Sequence, residues 1–208
     1  MSKSVRIVTA HDGARYFTAM ADIAKTLAEK AGHELEIIRD TGIKHKKSTL
    51  LLDALTEEWV VWMDADSMIL GNIDHLFEID CDLIVNVKEP VNRSTKYGTY
   101  LYSGFVCVRN TPAGIDLLKR WQGGDTDQPS DQFNLNKVLE DYLDDAVYDQ
   151  HGTTQTYGDL RVHLLDPNIY CHTQSIRDGV YPPDEVNVLH FKGRTHRLWR
   201  DYKRKFLC

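Results

Sequence analysis

The residues with the clearest capacity for chemistry in this 208-residue chain are two aspartates, Asp64 and Asp66, separated by Ala65. In an extended segment, residues i and i+2 point to the same side. Two carboxylates so placed can hold one divalent cation, and hard oxygen ligands suit Mg²⁺ or Mn²⁺. Spacing alone does not single the pair out, because Asp80/Asp82 and Asp125/Asp127 share it. Context does. Asp64 and Asp66 directly follow the apolar run WVVWM, residues 59–63, so they stand at the carboxyl end of a predicted strand, where open α/β sheets bind ligands. Asp80 and Asp82 precede their strand, and Asp125 and Asp127 sit in a Gly/Pro loop with no apolar run before it. A strand-end turn capped by aspartates is the bland alternative for the chosen pair.

Positioning such a pair requires a sheet. Residues 5–10 (VRIVTA) read as a buried first strand and residues 15–30 as an amphipathic helix followed by Gly32. Residues 34–39 read as a second strand. Ser48 can cap a helix running to Leu55, and the run 59–63 is the third strand. The order strand, helix, strand, helix, strand with short links predicts a doubly wound α/β arrangement. Further strands are predicted over 82–87, 101–109, 161–165 and 186–191. Helices are predicted from Pro112 to Trp121 and from Asp131, capped by Ser130, to Tyr142. With no repeat and no linker, one domain spans 1–208.

Composition sets bounds. At 42% hydrophobic and 27% charged residues the chain is an ordinary globular one. A net charge of -6 argues against nucleic acid as a partner. The segment 192–205 is different, carrying seven Lys or Arg residues and one Asp. It is either a solvated tail or a contact for an anionic ligand or surface. The four cysteines (Cys81, Cys107, Cys171, Cys208) form no CxxC pair and are expected as reduced, mostly buried thiols of a cytoplasmic protein. No signal peptide and no membrane span is expected.

Four segments, in order, resemble the nucleotide-sugar glycosyltransferases of the GT-A fold, nearest in motif to family 8, the glycogenin-like and bacterial galactosyltransferase-like enzymes. They are WVVWMDADSMILGNIDHLF (59–77), YSGFVCVRNT (102–111), SDQFNLN (130–136) and LHFKGRTHRLW (189–199). They resemble the family's strand-plus-DxD, NSG strand, DQ helix start and HFxGxxKPW. Tyr102 stands where the family usually has Asn, and the final motif lacks KPW. The resemblance implies a single GT-A-like (Rossmann-like) domain with a central, mostly parallel mixed sheet flanked by helices. Residues 1–100 would form its nucleotide-binding half and residues 101–208 its donor-sugar and acceptor half. It also implies transfer of a sugar from a UDP-sugar to a carbohydrate or glycoconjugate acceptor with Mn²⁺ or Mg²⁺.

By the same resemblance His190 joins Asp64 and Asp66 as a metal ligand. Thr9, Ala10, His11 and Asp12 would hold base and ribose. Arg15 and Lys47 would reach the phosphates or the base. Ala65, Ser103 and Gly104 would lie close to the donor. Lys192 and Arg194 would offset charge on the departing diphosphate, with Gly193 allowing close backbone approach. Asp131 would be general base in an inverting enzyme or would orient the donor sugar in a retaining one, beside Gln132. Family 8 leans towards retention. Two rivals remain at this stage. An aspartate-nucleophile phosphatase also places DxD after an apolar strand, but on its first strand. A non-catalytic nucleotide-sugar binder would keep the fold without turnover.

Overall fold

A computed structural model describes residues 4–11, 13, 15–39, 47–88, 100–123, 131–139 and 147–207. The first five expected elements appear as β1 (Val5–His11), α1 (Arg15–Lys30), β2 (Leu35–Arg39), α2 (Lys47–Ala54) and β3 (Trp59–Met63). A short strand that the apolar pattern did not reveal, β4 (Ser67–Ile69), follows the aspartate pair directly. Then come β5 (Leu83–Val87), β6 (Leu101–Arg109), α3 (Pro112–Gly123) and α4 (Asp131–Val138). The chain continues through β7 (Thr154–Tyr157), β8 (Leu160–Leu165), α5 (Pro167–Tyr170), α6 (Gln174–Asp178), β9 (Val188–His190) and α7 (Trp199–Tyr202). Ser130 and residues 140–146, part of the expected fourth helix, lie outside the described residues.

Seven strands form one sheet in the order β2-β1-β3-β6-β5-β8-β7. It is mixed, as expected, but the parallel pairs are half of the described pairings rather than most. β1 runs parallel to β2 and β3, and β5 to β8, while β6 is antiparallel to both β3 and β5. β7 closes one edge antiparallel to β8. An antiparallel neighbour needs no crossover helix, and none stands between β5 and β6 among the described residues.

The period of two along β3 sorts its side chains to opposite faces. Trp59, Val61 and Met63 pack with Met20 and Ala24 of α1, and Val60 and Trp62 pack with Leu51 of α2 and Leu117 of α3. All five β3 residues are buried, which is why the run reads as continuously apolar. The start of α2 departs from expectation. The helix begins at Lys47, so Ser48 lies in the first turn, buried, and the carboxylate of Asp131 accepts from the Lys47 backbone N–H at 3.2 Å. Cys81, Cys107 and Cys171 are buried free thiols, and no helix among the described residues is long and apolar enough to cross a membrane.

Candidate active site

β3 ends at Met63, and the chain turns at once. The Asp64 N–H donates to Gly104 O and the Ser67 N–H to Asp64 O, each at 2.8 Å. The two carboxylates are thus brought together by a turn between β3 and β4, and not by alternation along an extended strand. β4 then pairs antiparallel with β9, placing Ser67 opposite His190. The Phe191 N–H donates to Asp66 O at 2.9 Å. This two-stranded ribbon brings a residue from the end of the chain back to the carboxyl end of β3.

The result is a triad. One ligand atom each from Asp64, Asp66 and His190 lies within 4.8 Å of the others. His190 Nε2 stands 3.3 Å from Asp66 Oδ1 and 3.9 Å from Asp64 Oδ2. The remaining polar atom of each residue is held by the protein. Asp64 Oδ1 accepts from Trp62 Nε1 at 2.7 Å and pairs with Lys47 Nζ at 2.6 Å. Asp66 Oδ2 lies 2.6 Å from His196 Nε2. His190 Nδ1 lies 3.2 Å from Cys171 Sγ. Such outer partners fix the orientation of ligands and leave one atom of each facing inward. The donor set, two carboxylate oxygens and an imidazole nitrogen, fits Mn²⁺ or Mg²⁺.

Electrostatics reinforce the arrangement. Burial pushes the Asp66 carboxyl up, but hydrogen bonds and charge from His190 and His196 outweigh it and hold the group well below the usual carboxylate range. Burial pushes His190 down, yet the Cys171 thiol and the Asp66 carboxylate outweigh that and raise the imidazole above its ordinary value. For Cys171, burial pushes up while the positive charge of His190 and Lys192 prevails and lowers the thiol.

Beside the triad opens a cavity of about 360 Å³ lined by Ala10, His11, Phe17, Lys47, Trp62, Asp64, Ala65, Asp66 and Asp131. A larger groove of about 850 Å³ runs near Ser4, Arg6, Glu36 and Glu57 at the opposite ends of β1 and β3, and brings no comparable metal-ligating cluster together. Lys47 is central to the smaller cavity: its Nζ also donates to Ser103 O at 3.0 Å and Ser103 Oγ at 3.1 Å.

The expected residues divide accordingly. Asp64, Ala65, Asp66, Ala10, His11, Lys47 and Asp131 meet at the cavity, and His190 and Ser103 adjoin it through the contacts above. Gly104 faces the triad itself, since a Cβ there would lie 2.6 Å from His190 Cε1 and 3.1 Å from Asp64 Oδ2. Thr9 is fully buried within β1 and is not part of the lining. Gln132 also lies outside the lining, its carbonyl accepting from Asn136 Nδ2. Lys192 turns away from this cavity, with Nζ 3.7 Å from the Tyr102 ring centroid. Asp12, and the side chains of Arg15 and Arg194, lie outside the described residues, and Gly193 opens the short 3-10 helix Gly193–Leu198.

Sequence reasoning missed Trp62, Cys171 and the contact of His196. Trp62 is two residues before Asp64 and reads as one more apolar strand residue. His196 occupies the position of the lysine in HFxGxxKPW, which was its available signal. Cys171 had none, because its neighbour His190 comes from a different element.

Residues 43–205 match the family model described as nucleotide-diphospho-sugar transferase. No curated protein matches the chain in sequence. Among solved structures, the chain is similar to a glycosyltransferase involved in the glycosylation of the major capsid of PBCV-1, with a TM-score of 0.64 and 12% identity over 96% of this chain and 98% of that one. It is also similar to the apo-form glycosyltransferase GlyE of Streptococcus pneumoniae TIGR4, with a TM-score of 0.55 and 16% identity, covering 96% of this chain and 60% of GlyE. At these identities the two likenesses bear on the fold, an α/β domain with a mixed sheet between helical layers.

Proposed function

The chain belongs to the nucleotide-diphospho-sugar transferase family, and from that premise we propose that this glycosyltransferase moves a sugar from a UDP-sugar to an acceptor hydroxyl with Mn²⁺ or Mg²⁺ held by Asp64, Asp66 and His190. The observation that carries the reading is the convergence of one oxygen from each carboxylate and one imidazole nitrogen beside a cavity of nucleotide-binding dimensions. The family match sets aside the aspartate-nucleophile phosphatase.

When bound, a divalent cation supplies positive charge to the departing diphosphate. The protein's own groups do the rest. Lys47 brings a second positive charge to the cavity and is held in place by Asp64 and Ser103. A cation fixed before the reaction costs no reorganisation as leaving-group charge develops. Ala10 and His11 line the wall at the end of β1, where base and ribose would lie. Asp131 lies on the same cavity with its carboxylate fixed by the backbone of Lys47, and it would orient the donor sugar or take the acceptor proton. The division of labour follows. The first half of the chain supplies most of the donor cavity, and the second half supplies His190, Asp131 and the acceptor side.

The buried free thiols suit a reducing, cytoplasmic setting. The basic C-terminal segment buries Trp199 and Tyr202 against Phe191 and leaves Arg197, Arg200 and Arg204 exposed, the last paired with Asp201, and these cations would serve a contact with an anionic surface.

A thermal-shift panel of nucleotide sugars with and without Mn²⁺ tests the central reading. A ligand selective for the folded state raises the melting temperature by mass action. One UDP-sugar is expected to do so only with metal, and not in the Asp64→Ala/Asp66→Ala double variant. A panel in which nothing binds, or in which binding ignores metal, overturns it.

A further inference from the structure

A second, smaller cavity of about 60 Å³ lies on the Nδ1 side of His190, its lining including Tyr102, Asn168, Cys171, Thr173, Arg177 and Lys192. Cys171 links it to the triad: Cys171 Sγ is 3.2 Å from His190 Nδ1 and 3.6 Å from Lys192 Nζ. Among the described residues, two positively charged side chains line this cavity and no carboxylate does. Among the described residues neither Arg177 nor Lys192 makes an ion pair. The nearest acid along α6, Asp178, accepts from Gln174 Nε2. Lys192 Nζ lies 3.6 Å from the Cys171 sulfur and 3.7 Å from the centroid of the Tyr102 ring, so neither of these contacts is with a carboxylate. Lys88 adds further positive potential, 5.9 Å from the same ring.

The size of the cavity limits what enters. At about 60 Å³ against about 360 Å³ for the cavity beside the triad, the space suits a small group such as a carboxylate or phosphate. Asn168 and Thr173 add polar lining to the two cations. Charge-assisted hydrogen bonds from ammonium and guanidinium are the strong means of holding an oxyanion. The cavity adjoins His190 through Cys171 and is separate from the one that Lys47 lines.

We propose that this cavity receives an anionic substituent of the acceptor, so that the enzyme glycosylates an acidic sugar or glycoconjugate; the assignment to the acceptor rests on the transferase reading above. Tyr102, where relatives usually have Asn, then builds this pocket by carrying Lys192 on its ring.

Calorimetry on the full chain, loaded with Mn²⁺ and UDP, tests the proposal. Sugars are compared in pairs: methyl glucuronide against methyl glucoside, methyl galacturonide against methyl galactoside, and glucose 6-phosphate against glucose, with inorganic phosphate as a separate arm. At least one charged sugar is expected to bind about tenfold more tightly than its neutral partner, and Arg177→Gln and Lys192→Gln are each expected to remove most of that preference. UDP affinity should stay unchanged in Arg177→Gln, a variant at an exposed position. If no charged sugar outbinds its neutral partner, or inorganic phosphate binds while no charged sugar does, or the preference survives both substitutions, the proposal falls. UDP binding is measured first, by titrating UDP into the Mn²⁺-loaded chain and into each variant. UDP binding without charge preference overturns only this proposal, whereas failure of UDP to bind overturns the donor reading itself.

Discussion

A methyl group added at Gly104 would lie 2.6 Å from His190 Cε1, within the side chain of a candidate ligand and not at the free end of a flexible one. Gly104→Ala is therefore expected to displace His190 and weaken Mn²⁺ binding by about tenfold or more, measured by calorimetry or by the Mn²⁺ electron paramagnetic resonance signal. Wild-type affinity in that variant would show that His190 is not a ligand. His196 acts one step further out, through Asp66 Oδ2. His196→Ala is expected to lower Mn²⁺ affinity by roughly 10- to 100-fold and to leave the folded state intact. Cys171 and Asp66 raise the imidazole of His190 against the effect of burial, so its proton is held more firmly than in a free histidine. A metal must displace that proton. The sign follows: Mn²⁺ affinity rises with pH up to the raised value, with proton release detectable by titration in buffers of different ionisation enthalpy. Affinity that does not change with pH, with no proton release, would contradict the assignment.

At the level of elements, α2 and α4 are joined through one carboxylate. Asp131 opens α4 and accepts from the first backbone N–H of α2, and the side chain of that same residue, Lys47, reaches Asp64. Donor cavity, helix start and triad thus share a single connection. Asp131→Asn keeps an acceptor oxygen for the Lys47 N–H but removes the charge. It is expected to cut turnover at least about a hundredfold while shifting the melting temperature by no more than about 2 °C. A fall in stability that accounts for the lost activity would make Asp131 structural only. The Asp80/Asp82 pair shows the alternative fate of the same spacing. Asp82, at the entry to β5, accepts from the Arg161 backbone N–H at 2.9 Å and from Thr111 Oγ1 at 2.8 Å, tying β5, β8 and the start of α3 together.

For the whole molecule, that tie predicts how stability depends on pH. Burial pushes the Asp82 carboxyl up, but hydrogen bonds from Arg161 and Thr111 prevail and hold it below the usual value. A depressed folded-state value contributes stability that is fully present above the unfolded-state value, near 3.9, and is lost as pH falls through the folded one. Urea denaturation should therefore show a loss below about pH 4 that is smaller in Asp82→Asn. That variant should itself cost about 1–3 kcal/mol at neutral pH, because a charged acceptor leaves buried donors with a weaker partner. An identical acid response in wild type and variant would remove Asp82 from the account. The two apolar layers on either side of the sheet supply the scaffold. Phe191 joins one of them to the site, packing on Trp199 and Tyr202 while its N–H holds the Asp66 carbonyl.

Local chemistry in the chain was enough to determine the order and type of the first five elements, because an unbroken apolar run such as 59–63 and an amphipathic period such as 15–30 leave few alternatives. It also determined which aspartate pair stood at a strand's carboxyl end. Tertiary structure alone decided the rest. The half-antiparallel sheet, the β4–β9 ribbon that brings His190 to Asp66, and the Cys171 contact all join segments far apart in the chain, and neither a three-residue strand nor a thiol announces its partner locally. Whether Lys192 faces the donor or a second pocket depended on where the Tyr102 ring and the Cys171 sulfur lay. A side chain's direction is set by the neighbours that compete for it, and those neighbours exist only once the chain has folded.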